Sequence, residues 1–382
     1  MSPAQADLEV GSTTHIATRI RRTSLVGAVI ALALASAPAA TRAQDPPCEA
    51  PLAGVRTTCS WVPVNERYRV RSIVTRPADS PGARLPAVLF VQWLSCDPVT
   101  VTPDASDGWQ DVLRALIQRS GMIVARTEKP GLGDSGGPAC AELGYDEEVA
   151  VHRAALEQLR RAAGVDPDSI FLFGGSMGGT IAPQLASGAD AGGVRGIIVA
   201  GTTAGTWLEH MIALDRRVME LQGLSLDSVH TLMAEHIRFH AAYLGQGRTP
   251  ARVATDWSSA RAVWRRIIGT DSSLLHHYGR PVRFHHEAQR HNWPRAWAAV
   301  RAPVLVIHGE YDWIMPEDEH LRILGALSPG IRSRATYLKA PRMGHDFLTY
   351  PSLDDSFRGR NGRFESRPAD AILDWLRARR QR

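Results

Sequence analysis

Short, unbroken apolar runs alternate with helical stretches along most of this chain. The runs are Ala87 to Val91 (AVLFV), Met122 to Ala125, Ile170 to Phe173, Gly196 to Ala200 and Val304 to Ile307. Strands with no polar alternation are buried on both faces, so the pattern predicts a mostly parallel central sheet flanked by helices. Tyr68 to Thr75 (YRVRSIVT) does alternate, and reads as an antiparallel edge strand. Tyr145 to Ala163 repeats apolar residues at helical spacing until Gly164 stops it. A final helix from Pro368 to Arg380 ends in Arg377, Arg379 and Arg380, cations that suit the negative end of a helix dipole. Thr203 to Val300 breaks the alternation. It is too long for a connection within a sheet, and Trp207, Met211, Leu214, Val218 and Leu221 recur at helical spacing, so a helical insertion is expected with Trp207 in its core.

The N-terminus follows a different pattern. Arg19, Arg21 and Arg22 precede an apolar stretch from Leu25 to Ala40, then small residues and Gln44-Asp45. This is the order of a secretory signal peptide, too short and too interrupted by Pro38 for a spanning helix. Arg21-Arg22-Thr23-Ser24-Leu25 matches a twin-arginine signal in part. Cleavage after Ala43, with Thr41 three places back, lowers the net charge from +5 to +3. The remaining arginines are dispersed among acidic residues and the only lysines are Lys129 and Lys339, which is no nucleic-acid footprint. At 382 residues the chain needs no disulfide merely to hold a core. Export nevertheless makes disulfides the expected state of Cys48, Cys59, Cys96 and Cys140. Of three possible connectivities, Cys48 with Cys59 and Cys96 with Cys140 is favoured, because the first pair closes a short loop and the second pair follows two strand-like runs.

Two motifs present a serine. Gly133-Asp134-Ser135-Gly136-Gly137-Pro138 spells the nucleophile motif of chymotrypsin-like proteases, which place their histidine and aspartate earlier in the chain; the only earlier histidine here is His15. Ser135 is therefore read as part of a glycine-rich turn. Gly174-Gly175-Ser176-Met177-Gly178 follows a buried strand and precedes a helical stretch, the context of a nucleophile elbow. A serine hydroxyl needs a base to take its proton and an acid to orient that base. Both are expected downstream, at strand ends. His308-Gly309-Glu310-Tyr311-Asp312 supplies Asp312, with Glu310 as rival acid, and Gly344-His345 supplies the base.

In order and spacing these residues resemble the α/β-hydrolase superfamily from about Tyr68 onward, closest to its esterase and serine-aminopeptidase-like branch. The resemblance implies an α/β-hydrolase fold with a Ser176, Asp312, His345 triad. It divides the chain into a signal peptide at 1–43, a core at 44–202 and 301–382, and a helical cap at 203–300. Where the family often has His-Gly after its third strand, this chain has Gln92-Trp93-Leu94. By position Leu94 would donate one oxyanion N–H and Met177 the other, with Trp93 as fallback. The fold also sets the third and fourth strands side by side, which brings the loops bearing Cys96 and Cys140 together.

The expected activity is exported ester hydrolysis by a Ser-His-Asp acyl-enzyme mechanism on a small molecule. A serine exopeptidase acting on short peptides is the alternative; a non-catalytic binding protein is the less favoured third reading. The insertion's twelve arginines against eight acids do not suggest a pocket for a free amine, although Glu209 or Glu287 could supply one. No cofactor is expected, and no stable membrane insertion after signal cleavage. Nor is a metal: His236 and His240 lie four apart beside Glu235, but Ile237 occupies the position where a metalloprotease helix has its glutamate. His276-His277 and His285-His286 read as packing residues. The oligomeric state is left open.

Overall fold

The computed structural model describes residues 49–104, 107–187 and 192–380. The signal-peptide segment and Cys48, and with it the Cys48–Cys59 pairing, lie outside the described residues. One eight-stranded sheet organises the rest. Its strands in chain order are β1 (Val55–Val64), β2 (Tyr68–Pro77), β3 (Leu85–Val91), β4 (Ile123–Thr127), β5 (Val165–Gly175), β6 (Val194–Ala200), β7 (Val304–Gly309) and β8 (Thr336–Ala340). They lie side by side as β1-β2-β4-β3-β5-β6-β7-β8. Every neighbouring pair from β4 to β8 is parallel, whereas β1–β2 and β2–β4 are antiparallel.

The unbroken apolar runs have the expected cause. In β3, Leu89 and Val91 point into one core and Val88 and Phe90 into the other, so both faces exclude water. Helices α1 (Gly108–Arg119) and α2 (Tyr145–Arg161) cover opposite faces, α1 together with a C-terminal helix, Arg367–Arg380. The short α3 (Gly178–Leu185) follows β5 directly. Tyr68 to Thr75 is antiparallel as expected but is not the edge. Val55–Val64 pairs outside it along its whole length, a strand hidden in the sequence because Thr57, Thr58 and Ser60 break the apolar pattern and Pro63 stands near its end.

Between β6 and β7 the chain runs through six α-helices: α4 (Trp207–Leu221), α5 (Leu226–His240), α6 (Pro250–Asp256), α7 (Ala260–Arg266), α8 (Val282–Arg290) and α9 (Trp293–Ala299). Thr206 and Glu209 form a capping box that starts α4, Thr249 caps α6, and Asn292 caps α9. Trp207, Trp264, Trp293 and Trp297 are all buried here, so four of the five tryptophans concentrated in this stretch form its core, and Trp257 packs half-buried against it.

Candidate active site

The end of β5 turns into α3 within three residues, and Ser176 occupies the turn with φ at 51°. A serine in this left-handed region is strained, and the strain holds its hydroxyl away from the backbone ladder. Close approach makes glycine necessary at 178, where any Cβ would run into the Val91 carbonyl. The Ser176 N–H donates to Ala200 O at 2.9 Å, fastening the elbow to β6.

Asp312 and His345 reach this serine from the loops after β7 and β8. His345 Nε2 lies 3.0 Å from Ser176 Oγ, and its Nδ1 lies 2.9 Å from Asp312 Oδ2. The other Asp312 oxygen accepts from the N–H groups of Ile314 (3.0 Å) and Met315 (2.8 Å), so the carboxylate is fixed from both sides. Gly201, at φ 60°, lies under the imidazole, where a Cβ would stand 2.7 Å from His345 Cε1. Burial pushes the Asp312 carboxyl up, but His345 beside it and the Met315 N–H hold it below the usual carboxylate range. Burial pushes His345 down; the Asp312 charge and hydrogen bond, helped by Asp346, overcome this and raise it above the ordinary histidine value. The arrangement can transfer a proton from a serine hydroxyl to an imidazole whose positive charge is already compensated.

Glu310, the rival acid, is exposed and accepts from the Arg342 N–H at 2.9 Å. Ser135 lies elsewhere: its Oγ accepts from the Arg71 N–H at 3.0 Å, which ties the glycine-rich turn to β2. Leu94, Trp93 and Met177 line a cavity of about 470 Å³ together with Ser176 and His345. Trp109, Trp207, Tyr278 and Trp313 give that cavity aromatic walls, and Asp97 and Asp107 stand among its polar lining. Trp207 is thus both core and wall. Its Nε1 donates to His285 Nδ1 at 3.1 Å, a nitrogen left free to accept because burial pushes His285 down to about 3.

The histidines of the insertion divide by environment. His210 alone among them lines the cavity, with its Nδ1 3.0 Å from Glu319 Oε1. His276 bridges Glu142 and Asp271 near the surface, while the rings of His277 and His285 lie 4.7 Å apart, tilted, in the interior. His236 Nδ1 and His240 Nε2 lie 2.6 and 2.8 Å from one Asp215 oxygen, and all three residues are buried. Two ligands on a zinc ion at roughly 2.0–2.1 Å stand about 3.3 Å apart, so these are hydrogen-bond spacings rather than coordination spacings. Glu235 points elsewhere, pairing with Arg266 at 3.0 Å.

Three charged residues near the cavity carry no motif. Lys129, buried, donates to the carbonyls of Trp93 (2.7 Å) and Leu94 (2.9 Å) and pairs with Glu148 of α2 at 2.9 Å. Arg280 of the insertion pairs with the same Glu148 and donates to Cys140 O. Cys140 is disulfide-bonded to Cys96, Cα to Cα 5.9 Å. The one signal in the sequence was the scarcity of lysine.

A parallel sheet with an elbow serine after its fifth strand, and an acid and a histidine after its seventh and eighth, defines an α/β hydrolase architecture. The chain belongs to the alpha/beta hydrolase fold family, whose profile matches residues 102–349. No curated protein sequence matches it. Among solved structures it is similar to Est1E from Butyrivibrio proteoclasticus, determined with ferulic acid bound, at TM-score 0.53 and 13% identity over 85% of this chain and 100% of that one. A hypothetical protein from Pseudomonas aeruginosa gives 0.52 and 13% over 86% and 95%. The α/β hydrolase GrgF from Penicillium sp. sh18 gives 0.51 and 14% over 86% and 100%. At such identities the likeness concerns the fold.

Proposed function

We propose that this protein is an exported serine hydrolase that cleaves carboxylic esters through an acyl-enzyme. The observation that carries the reading is the continuous chain of contacts from Ser176 Oγ through His345 to buried Asp312. Ser176 Oγ attacks the ester carbonyl as its proton passes to His345 Nε2, and Asp312 stabilises the imidazolium. The N–H groups of Leu94 and Met177 hold the oxyanion of the tetrahedral intermediate. Its collapse breaks the bond to the alkoxy oxygen, which leaves as the alcohol with the His345 proton. Water, deprotonated by His345, then attacks the acyl-enzyme and releases the acid.

The apolar, aromatic cavity wall supports an ester over a charged peptide. An exopeptidase needs an anion for the substrate's free amine, and the two acids considered for that task are committed elsewhere. Glu209 accepts from the Thr206 N–H, and Glu287 accepts from the Asp146 N–H; neither lines the cavity. Asp97 and Asp107 do line it, and they are what favours the peptidase alternative. Export rests on the Arg19 to Ala43 signal pattern, and the Cys96–Cys140 disulfide agrees with an oxidising compartment. A panel of acyl-chain esters and aminoacyl anilides, run with purified protein and Ser176→Ala, tests the reading. Turnover of esters that vanishes in the variant is expected; preferential cleavage of anilides would move the assignment to the peptidase.

A further inference from the structure

We propose that Lys129 is a positioning residue for the oxyanion-binding loop, turning the Leu94 N–H into the cleft by taking the carbonyls of Trp93 and Leu94. The inference rests on the hydrolase reading above. A lysine amine buried to 1% exposure must place its N–H donors on acceptors, and here two of its three contacts are backbone carbonyls of a single loop. No described peptide is cis, so the C=O of Trp93 and the N–H of Leu94, which belong to one peptide unit, point in opposite directions. The carbonyl faces Lys129, which does not line the cavity; Leu94 lies on the cavity wall with Ser176, Met177 and His345. The N–H therefore faces the side where a substrate oxygen would develop charge. Among the described residues it has no backbone acceptor.

The loop needs such a hold. A peptide plane free to rotate would lose an aligned donor. Lys129 is itself anchored by Glu148 at 2.9 Å, and Arg280 engages that same carboxylate. Arg280 also reaches Cys140, whose disulfide partner Cys96 stands two residues beyond Leu94. The far end of the loop is thus fixed by the disulfide and its near end by the lysine.

Lys129→Met tests the role, with rates expressed per fluorophosphonate-titrated serine so that misfolded molecules drop out. The expected result is a fall of about 100-fold in kcat with KM within about threefold, the signature of one lost oxyanion donor. Affinity for an aliphatic trifluoromethyl ketone, whose adduct carries the oxyanion, should fall by a similar factor, and the acid limb of the pH profile should stay in place. Leu94→Pro deletes the N–H itself while leaving the lysine and its ion pair, and should reproduce both losses. Wild-type kcat and ketone affinity in Lys129→Met, or in Leu94→Pro, would overturn the proposal while leaving the hydrolase reading intact. Absence of Ser176-dependent turnover in the unmutated chain would remove both.

Discussion

Ser176, Asp312 and His345 are held by different forces, and each makes a different demand on its neighbours. The serine depends on a strained backbone, the aspartate on two N–H donors and an imidazole, and the histidine on a glycine beneath its ring. Because Asp312 raises His345 against the pull of burial, its removal has a signed consequence. In the native protein kcat/KM should fall as pH drops through a His345 pKa above about 6.5, since only the neutral imidazole can accept the serine proton. In Asp312→Asn only Asp346 still opposes burial, so the acid limb should move to lower pH while kcat drops by about four orders of magnitude. Glu310→Gln should leave both nearly unchanged, because Glu310 meets the Arg342 N–H at the surface. A pH–rate profile of the two variants checks this, and the reverse ranking would transfer the acid's role. All three residues were legible in the sequence because strand-end loops expose short motifs. Lys129, Glu148 and Arg280 were not, since an ion cluster assembled from 19 and 132 residues apart in sequence leaves no local pattern.

Secondary elements differ in how openly the sequence declares them. Five of the six parallel strands, β3 to β7, contain unbroken apolar runs because both their faces are covered, whereas β8 is half-exposed and mixed in composition. β1 escaped notice because it lies at the sheet's edge, with Thr57, Thr58 and Ser60 among its residues. The helices between Thr249 and Ala299 are short, so periodicity located the insertion without dividing it. At this scale the Cys96–Cys140 bridge joins the loops that follow β3 and β4, closing a separation of 44 residues. In the chain-entropy model such a loop is worth about 4 kcal/mol. Paired Cys96→Ser and Cys140→Ser changes should lower the unfolding temperature. They should also reduce turnover per folded molecule, because the bridge lies two residues from Leu94. Calorimetry alongside active-site titration separates the two effects; unchanged turnover per titrated site would show that the bridge stabilises the fold without bracing the loop.

Across the whole molecule, the sheet order places β5 between β3 and β6 and brings β7 and β8 beyond them, so loops far apart in sequence meet at one edge. Ser176, Leu94, Met177 and His345 come together there under aromatic walls drawn partly from the insertion. That edge receives the second of the two serine motifs: the Gly133–Pro138 turn is tied to β2, and Ser176 faces the cavity. The central claim is that Ser176 is the nucleophile. Labelling the purified protein with a fluorophosphonate, followed by peptide mapping of the adduct, measures it most directly. The account predicts a single adduct on the peptide containing Ser176, absent in Ser176→Ala and retained in Ser135→Ala. An adduct that persists in Ser176→Ala and disappears in Ser135→Ala would contradict it.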